Sequence, residues 1–281
     1  MSIQENIPLA PYTTFGIGGP ARYFSKLTEK AELIPLLQFA QTNKIPWLIL
    51  GQGSNVLISD KGFSGLVILN QLNRCTLKNN LITVESGFNL QKLIQLAIQN
   101  KLGGLENLAG IPGTVGGAVR GNAGSFGTEI GTLVKGGVIL NSKLEFQEVE
   151  PAYFQFSYRH SALKTNQYIL IEVTLKLKKS IHNLQQKYQK ILQQKWEKQP
   201  REKSAGCIFK NPSNASAGYL IEQCGLKGHQ INDARISPQH ANFILNTGKA
   251  TYGDVLQLIQ LIQTKVQEKF NIQLKLEIQI I

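Results

Sequence analysis

Hydrophobic positions along this chain recur at two spacings, and the spacing changes from segment to segment. Within residues 29–43, Leu33, Leu36, Leu37 and Ala40 fall three and four apart, which predicts an amphipathic helix. Pro35 fits that helix only near its start, because proline lacks the N–H that an interior turn uses. Leu90, Leu93, Ile94, Ala97 and Ile98 repeat the helical spacing. So do Leu184, Tyr188, Ile191 and Leu192 in the Gln- and Lys-rich residues 182–199, which read as a connector between domains. Val255, Leu258, Ile259, Ile262 and Val266 predict the longest helix, over 251–270. Residues 47–50 (WLIL), 65–69 (GLVIL) and 81–85 (LITVE) are short apolar runs and predict strands. Period-two alternation marks residues 168–178, with Ile169, Ile171, Val173, Leu175 and Leu177 on one face. It marks the terminal residues 272–280 as well, through Ile272, Leu274, Leu276, Ile278 and Ile280. Helices and strands interleave without an internal repeat, which predicts a mixed α/β chain with α+β subdomains.

One segment fits neither period. Residues 110–127 read GIPGTVGGAVRGNAGSFG, with seven glycines in eighteen positions. Each glycine inside a helix or strand costs roughly 0.5–1 kcal/mol relative to alanine, so neither element is expected here. Two uses remain: tight turns with positive φ, or bare main chain whose N–H groups meet a phosphate or a flat ring. Residues 51–55 (GQGSN) form a second glycine loop, directly after the WLIL strand. They are not a dinucleotide fingerprint, because Val56 stands where the third glycine belongs. Gly248-Lys249 lacks the upstream glycine and the hydroxyl residue of a P-loop. Two glycine loops about sixty residues apart either approach one extended phosphate ligand or are unrelated.

Composition narrows the partners. The 281 residues carry a net charge of +12, which points to anionic partners: nucleic acid, a membrane surface or small phosphorylated ligands. The basic residues are spread along the chain, and a nucleic-acid reader is expected to gather them in a stripe. Cys75, Cys207 and Cys224 are too few and too scattered for a disulfide framework or a zinc site, so no metal is expected. Their odd number suits a reducing compartment. The N-terminal residues show no signal-peptide pattern, and no apolar run is long enough for a bilayer span. A soluble cytoplasmic protein is the expectation.

Three side chains stand out, each with two readings. Arg159, in YRHS, grips a carboxylate bidentately or faces solvent. Cys207, in SAGCIFKNP, is a small buried hydrophobe or a thiol displayed beside a ligand. Glu277 shares the polar face of the predicted terminal strand with Lys275 and Gln279, and is either solvated or functional.

Taken together, eight windows in order resemble the UDP-N-acetylenolpyruvoylglucosamine reductases, the MurB family of peptidoglycan synthesis. They are TTFGIGGPARYF, LGQGSNVLISDKGFSGLVI, GIPGTVGGAVRGNAGSFG, YRHSALK, SAGCIFKNP, LIEQCGLKG, ISPQHANFILN and LKLEIQII. The resemblance implies an FAD-binding PCMH-type fold of two subdomains plus a C-terminal α+β substrate-binding domain. The expected division is residues 1–70 (completed by the terminal strand, 272–281), residues 71–198, and residues 199–271. It implies that Gly51, Gly53, Ser54, Asn55, Pro112, Gly113, Gly116, Gly117, Asn122 and Gly124 hold FAD. It implies NADPH as hydride donor and UDP-N-acetylenolpyruvoylglucosamine as substrate, in a monomer without nucleic-acid partners.

By the same resemblance, hydride reaches the substrate's β-carbon through the flavin. Arg159 pairs with the substrate carboxylate while negative charge builds at the α-carbon, and Glu277 helps stabilise the enolic form. Most relatives carry Ser where this chain has Cys207, and that residue becomes the proton donor to the α-carbon. A thiol, with an ordinary pKa near 8.5, is a competent acid at neutral pH. Lys198, Lys210, Asn211, His240 and Asn242 become candidates for UDP-sugar or NADPH contacts. Arg120 departs from the apolar residue that relatives often carry: it adds positive potential near the FAD phosphates or faces solvent. The alternatives are another FAD oxidoreductase on the same flavin domain and a basic nucleic-acid-binding protein.

Overall fold

The computed structural model describes residues 2–165 and 168–281. The chain divides into two compact units. The first comprises residues 1–2, 25–51 and 68–195, the second residues 3–24, 52–67 and 196–281.

The first unit is built on a five-stranded antiparallel sheet, ordered Phe146–Val149, Val134–Leu140, Ile169–Lys176, Leu81–Glu85, Cys75–Lys78. Its middle strand buries Leu170 as well as Ile169, Ile171, Val173 and Leu175. The expected one-faced alternation therefore fails at Leu170. The register against Val134–Leu140 shifts between Val138 and Ile139, and such a one-residue slip moves side chains to the other face. Helices Leu90–Gln99 and Leu184–Lys198 supply Leu90, Leu93, Ile94, Ala97, Tyr188, Ile191 and Leu192 to the same core. Helix Leu33–Thr42 buries Leu33, Leu36, Leu37 and Ala40, and Pro35 is its third residue, where the missing N–H costs little.

The second unit packs helix Tyr252–Phe270 and helix Ala217–Gln223 around Val255, Leu258, Ile259, Ile262, Val266, Leu220 and Ile221. The long helix starts on a capping box in which Thr251 and Asp254 satisfy each other's backbone N–H groups. A three-stranded antiparallel sheet, Gln230–Ile231, Ala234–Ile236 and Ile244–Asn246, contributes Ala234, Ile236 and Ile244.

Two expectations are corrected. Residues 272–280 do not form one strand. Only Gln279–Ile280 does, pairing in parallel with Val56–Leu57, and Leu276 makes an isolated bridge to Phe209. Burial still alternates through Leu274 and Ile278, so the pattern reported sidedness and not a ladder. The glycine segment does contain a helix, Val115–Gly121. Burial of Val115, Ala118 and Val119 anchors it, the Thr114 hydroxyl accepts from Gly117 N–H, and Asn122 closes it in the left-handed conformation. Packing and caps outweigh the glycine propensities.

Candidate active site

In the first unit Gly51, the first residue of GQGSN, lies against Thr114 of the glycine segment. A Cβ on Gly51 would lie 2.7 Å from Thr114 Oγ1, so only a residue without a side chain lets the strand end approach this close. A Cβ on Gly116 would lie 2.8 Å from Ser86 Cβ. The first N–H groups of helix Val115–Gly121 are engaged within the protein: Val115 with Phe88 O, Gly116 with Ser86 O and Gly117 with Thr114 Oγ1. Gly116 and Gly117 therefore do not aim these donors at a phosphate. What the segment presents is surface without side chains: Gly117 is exposed, and a Cβ on Gly121 would meet nothing within 4 Å.

Asn122 is fully buried, and both amide hydrogens are engaged, with Glu129 Oε2 at 2.8 Å and Ser157 O at 2.9 Å. Its Oδ1 accepts from Gly131 N–H at 3.0 Å. The Asn122 amide therefore serves Glu129 and the protein's own backbone.

Ser157 begins the turn that carries Arg159. Ser157 and His160 exchange both backbone hydrogen bonds, and Arg159 stands in the left-handed region at φ 54. That conformation costs a residue other than glycine about 1–2 kcal/mol. Several contacts hold it. Lys164 Nζ donates to Arg159 O at 2.7 Å, Arg159 Nη2 donates to Gly124 O at 3.0 Å, and Ser161 Oγ donates to Arg120 O at 2.8 Å. The Arg159 guanidinium lies 5.4 Å from the Tyr158 ring centre. Gly124 thus serves Arg159 with its carbonyl. Arg120 is half-buried, and burial lowers its guanidinium pKa.

In the second unit, residues 207–210 run between two other segments. On one side Cys207 bridges Phe243, and Ile208 N–H bonds Asn242 O at 2.8 Å. On the other, Glu277 N–H bonds Ile208 O at 2.8 Å and Lys210 N–H bonds Lys275 O at 2.9 Å. This backbone pairing sets Glu277 opposite Ile208, the residue that follows Cys207. Asn55 ties in the GQGSN loop, donating to Glu277 O at 3.1 Å and accepting from Gln279 N–H at 3.0 Å. Gly53 in that loop has φ 60, and a Cβ there would collide with the Tyr12 carbonyl. Ser54 is half-buried beside it.

His240 is half-buried. Its Nδ1 accepts from Asn242 N–H at 3.3 Å, which puts the ring proton on Nε2, and its ring meets Phe243 edge-on at 5.0 Å. Burial, helped by Lys227, lowers its pKa. Next to it Gln239 donates to the carbonyls of Trp196 and Glu197, both at 3.0 Å, bringing the exposed Lys198 into the same neighbourhood. Gln239 escaped the sequence reading, since a glutamine in a loop carries no pattern. Asn211 accepts from Ala217 N–H at 2.9 Å, and Lys210 is half-buried. Pro112 is exposed and Gly113 buried, the latter at φ 131.

Residues 198–281 match the family model for the C-terminal domain of UDP-N-acetylenolpyruvoylglucosamine reductase, and residues 21–140 match that for an FAD binding domain. The chain is 38% identical to the UDP-N-acetylenolpyruvoylglucosamine reductase of Caldanaerobacter subterraneus subsp. tengcongensis, covering 98% of this chain and 92% of that protein. It is 39% identical to the enzyme of that name from Chlamydia muridarum, covering all of this chain and 95% of that one. The chain belongs to the UDP-N-acetylenolpyruvoylglucosamine reductase family. The crystal structure of the Thermus caldophilus enzyme superposes with a TM-score of 0.86 at 36% identity over 99% of both chains.

As a reductase of this family the chain uses FAD, with NADPH as reductant. Its residues fit the cofactor on one structural observation: Gly51 lies close against the Thr114 side chain, while Gly117 is exposed and a Cβ on Gly121 would meet nothing within 4 Å. Among the described residues no group of His, Cys, Asp and Glu is placed to hold a metal ion, and no helix is long and apolar enough to cross a membrane.

Proposed function

We propose that this reductase converts UDP-N-acetylenolpyruvoylglucosamine to UDP-N-acetylmuramate, with Arg159, Cys207 and Glu277 as its catalytic side chains. When bound, FAD would supply the hydride chemistry that links NADPH to the substrate's β-carbon. The protein's part is to stabilise charge and deliver a proton. The guanidinium of Arg159 pairs with the substrate carboxylate, into which negative charge spreads as the β-carbon is reduced. Glu277 supports the enolic form. The Cys207 thiol gives its proton to the α-carbon and is reprotonated from solvent.

One observation supports the pairing of Cys207 with Glu277: the Glu277 N–H to Ile208 O bond, which sets the two residues on adjacent chain segments. Lys198, Lys210, Asn211 and His240 are proposed contacts for the nucleotide-sugar or NADPH. Asn242 belongs with them by position, but its amide is bonded to Phe209 on both sides. The three-part division at residues 70 and 198, a monomeric state and cytoplasmic residence are part of the same reading. The odd number of cysteines supports the cytoplasmic part of it.

The deciding experiment is NADPH oxidation by the purified yellow protein with and without UDP-N-acetylenolpyruvoylglucosamine. Oxidation that depends on this substrate carries the proposal. A flavoprotein that ignores it would be an FAD oxidoreductase of other specificity.

A further inference from the structure

We propose that Asn122 is a positioning residue: it holds the Arg159 turn in its left-handed geometry and contributes to substrate binding only through Arg159. The inference rests on the reading of Arg159 given above.

Three observations converge on it. Asn122 is fully buried, so its amide acts on protein and not on solvent. Its Nδ2 spans two segments, bonding Glu129 Oε2 at 2.8 Å and Ser157 O at 2.9 Å. Ser157 is the residue whose N–H and carbonyl close the turn with His160. Inside that turn Arg159 stands at φ 54, a conformation that a bulky side chain keeps only when its surroundings over-determine it. The chain supplies that determination from both ends. Asn122 fixes the carbonyl before the turn's central pair, and Lys164 Nζ fixes Arg159's own carbonyl at 2.7 Å. The side chain is aimed by a third tie, Arg159 Nη2 to Gly124 O at 3.0 Å, two residues beyond Asn122. Glu129 matters through Asn122, because its carboxylate orients the amide and fixes which end donates.

A guanidinium that must meet a carboxylate in bidentate fashion tolerates little displacement; a misplacement of about 1 Å costs on the order of 100-fold in rate. Asn122→Gly removes the amide while keeping a residue at ease in the left-handed conformation, so the helix end survives. In the FAD-loaded protein, reoxidation of the reduced flavin by substrate is expected to slow about 10- to 100-fold. Flavin reduction by NADPH should stay within about twofold, since Asn122 acts through Arg159 alone. Calorimetric affinity of the oxidised protein for UDP-N-acetylmuramate should fall by a similar factor, which reads carboxylate binding without turnover. In an Arg159→Ala background, Asn122→Gly should add nothing, as expected for residues acting as one unit.

Equal losses in both half-reactions, or additive losses in the double variant, would mean that Asn122 is a general structural residue and overturn the proposal. Lys164→Met, which keeps the stem and deletes the donor, gives a second reading should Asn122→Gly not fold; product affinity unchanged in that variant also overturns it. The two levels separate cleanly. Arg159→Ala with intact reoxidation removes the catalytic reading and this inference with it. Arg159→Ala crippled while Asn122→Gly is silent removes this inference alone.

Discussion

Asn242 brackets Phe209: its Oδ1 accepts the Phe209 N–H at 2.9 Å and its Nδ2 donates to the Phe209 carbonyl at 2.8 Å. Asn242 thus pairs with the backbone as a neighbouring strand would. Both bonds are buried, so Asn242→Ala leaves a donor and an acceptor without partners. The expected loss is about 2–4 kcal/mol of stability. Chemical denaturation checks it.

Cys207→Ala is expected to slow substrate-driven reoxidation of the flavin by about 10²–10⁴-fold, the range for loss of a positioned acid. Reduction by NADPH should be nearly unchanged. Stopped-flow absorbance separates the two steps, and reoxidation at the parent rate would remove Cys207 from the mechanism.

A thiol alkylator at neutral pH should inactivate the enzyme through Cys207, with substrate protecting. Burial raises the pKa of Cys75, and of Cys224 despite the nearby Lys269 and Lys265, so both hold less thiolate. Peptide mass mapping of partly labelled protein should find the label on Cys207 first, and Cys207→Ser should resist inactivation.

Glu106 is buried and bonded to Lys187 Nζ at 2.8 Å and to Gly104 N–H at 2.6 Å. Burial alone would raise its pKa, but the ammonium and the backbone N–H outweigh it and the net shift is downward. A carboxylate with a lowered folded pKa stabilises fully above its unfolded value of about 4.3, and the contribution is lost as pH falls through the folded value. Lys187→Met should therefore cost about 1–2 kcal/mol at pH 7. The gap between variant and parent should narrow once the pH drops below about 4, as read by denaturant midpoints across pH.

Gly116→Ala puts a methyl group 2.8 Å from Ser86 Cβ and 2.9 Å from Ser86 O. Overpacking of this kind costs about 1–3 kcal/mol. The variant should also retain less FAD, measured as the ratio of flavin to protein absorbance after gel filtration.

Much of the fold was legible because burial follows periodicity. The buried faces of helices Leu33–Thr42 and Tyr252–Phe270 are those the spacing named, since a helix has one way to hide Leu36, Leu37 and Ala40 together. Composition misled at Val115–Gly121, where a Thr114 cap and three buried apolar residues outweigh the glycines around them. Alternation misled at 272–280, where the partners that decide a ladder are far away in sequence: Val56, Leu57 and Phe209. For the site, motifs named Arg159, Cys207 and Glu277, but not what steadies them. Gln239 and Glu129 act through one amide or one carboxylate each, and a single polar residue has no period to betray it.

The left-handed turn at Arg159 has a consequence for how this sequence changes over time. Asparagine or glycine suits φ 54 better than arginine does. Replacement there would ease the backbone by up to about 1 kcal/mol while removing the guanidinium. At this position folding and chemistry pull in opposite directions. A library screened for thermal tolerance alone should drift away from arginine, and one screened for cell-wall precursor synthesis should hold it.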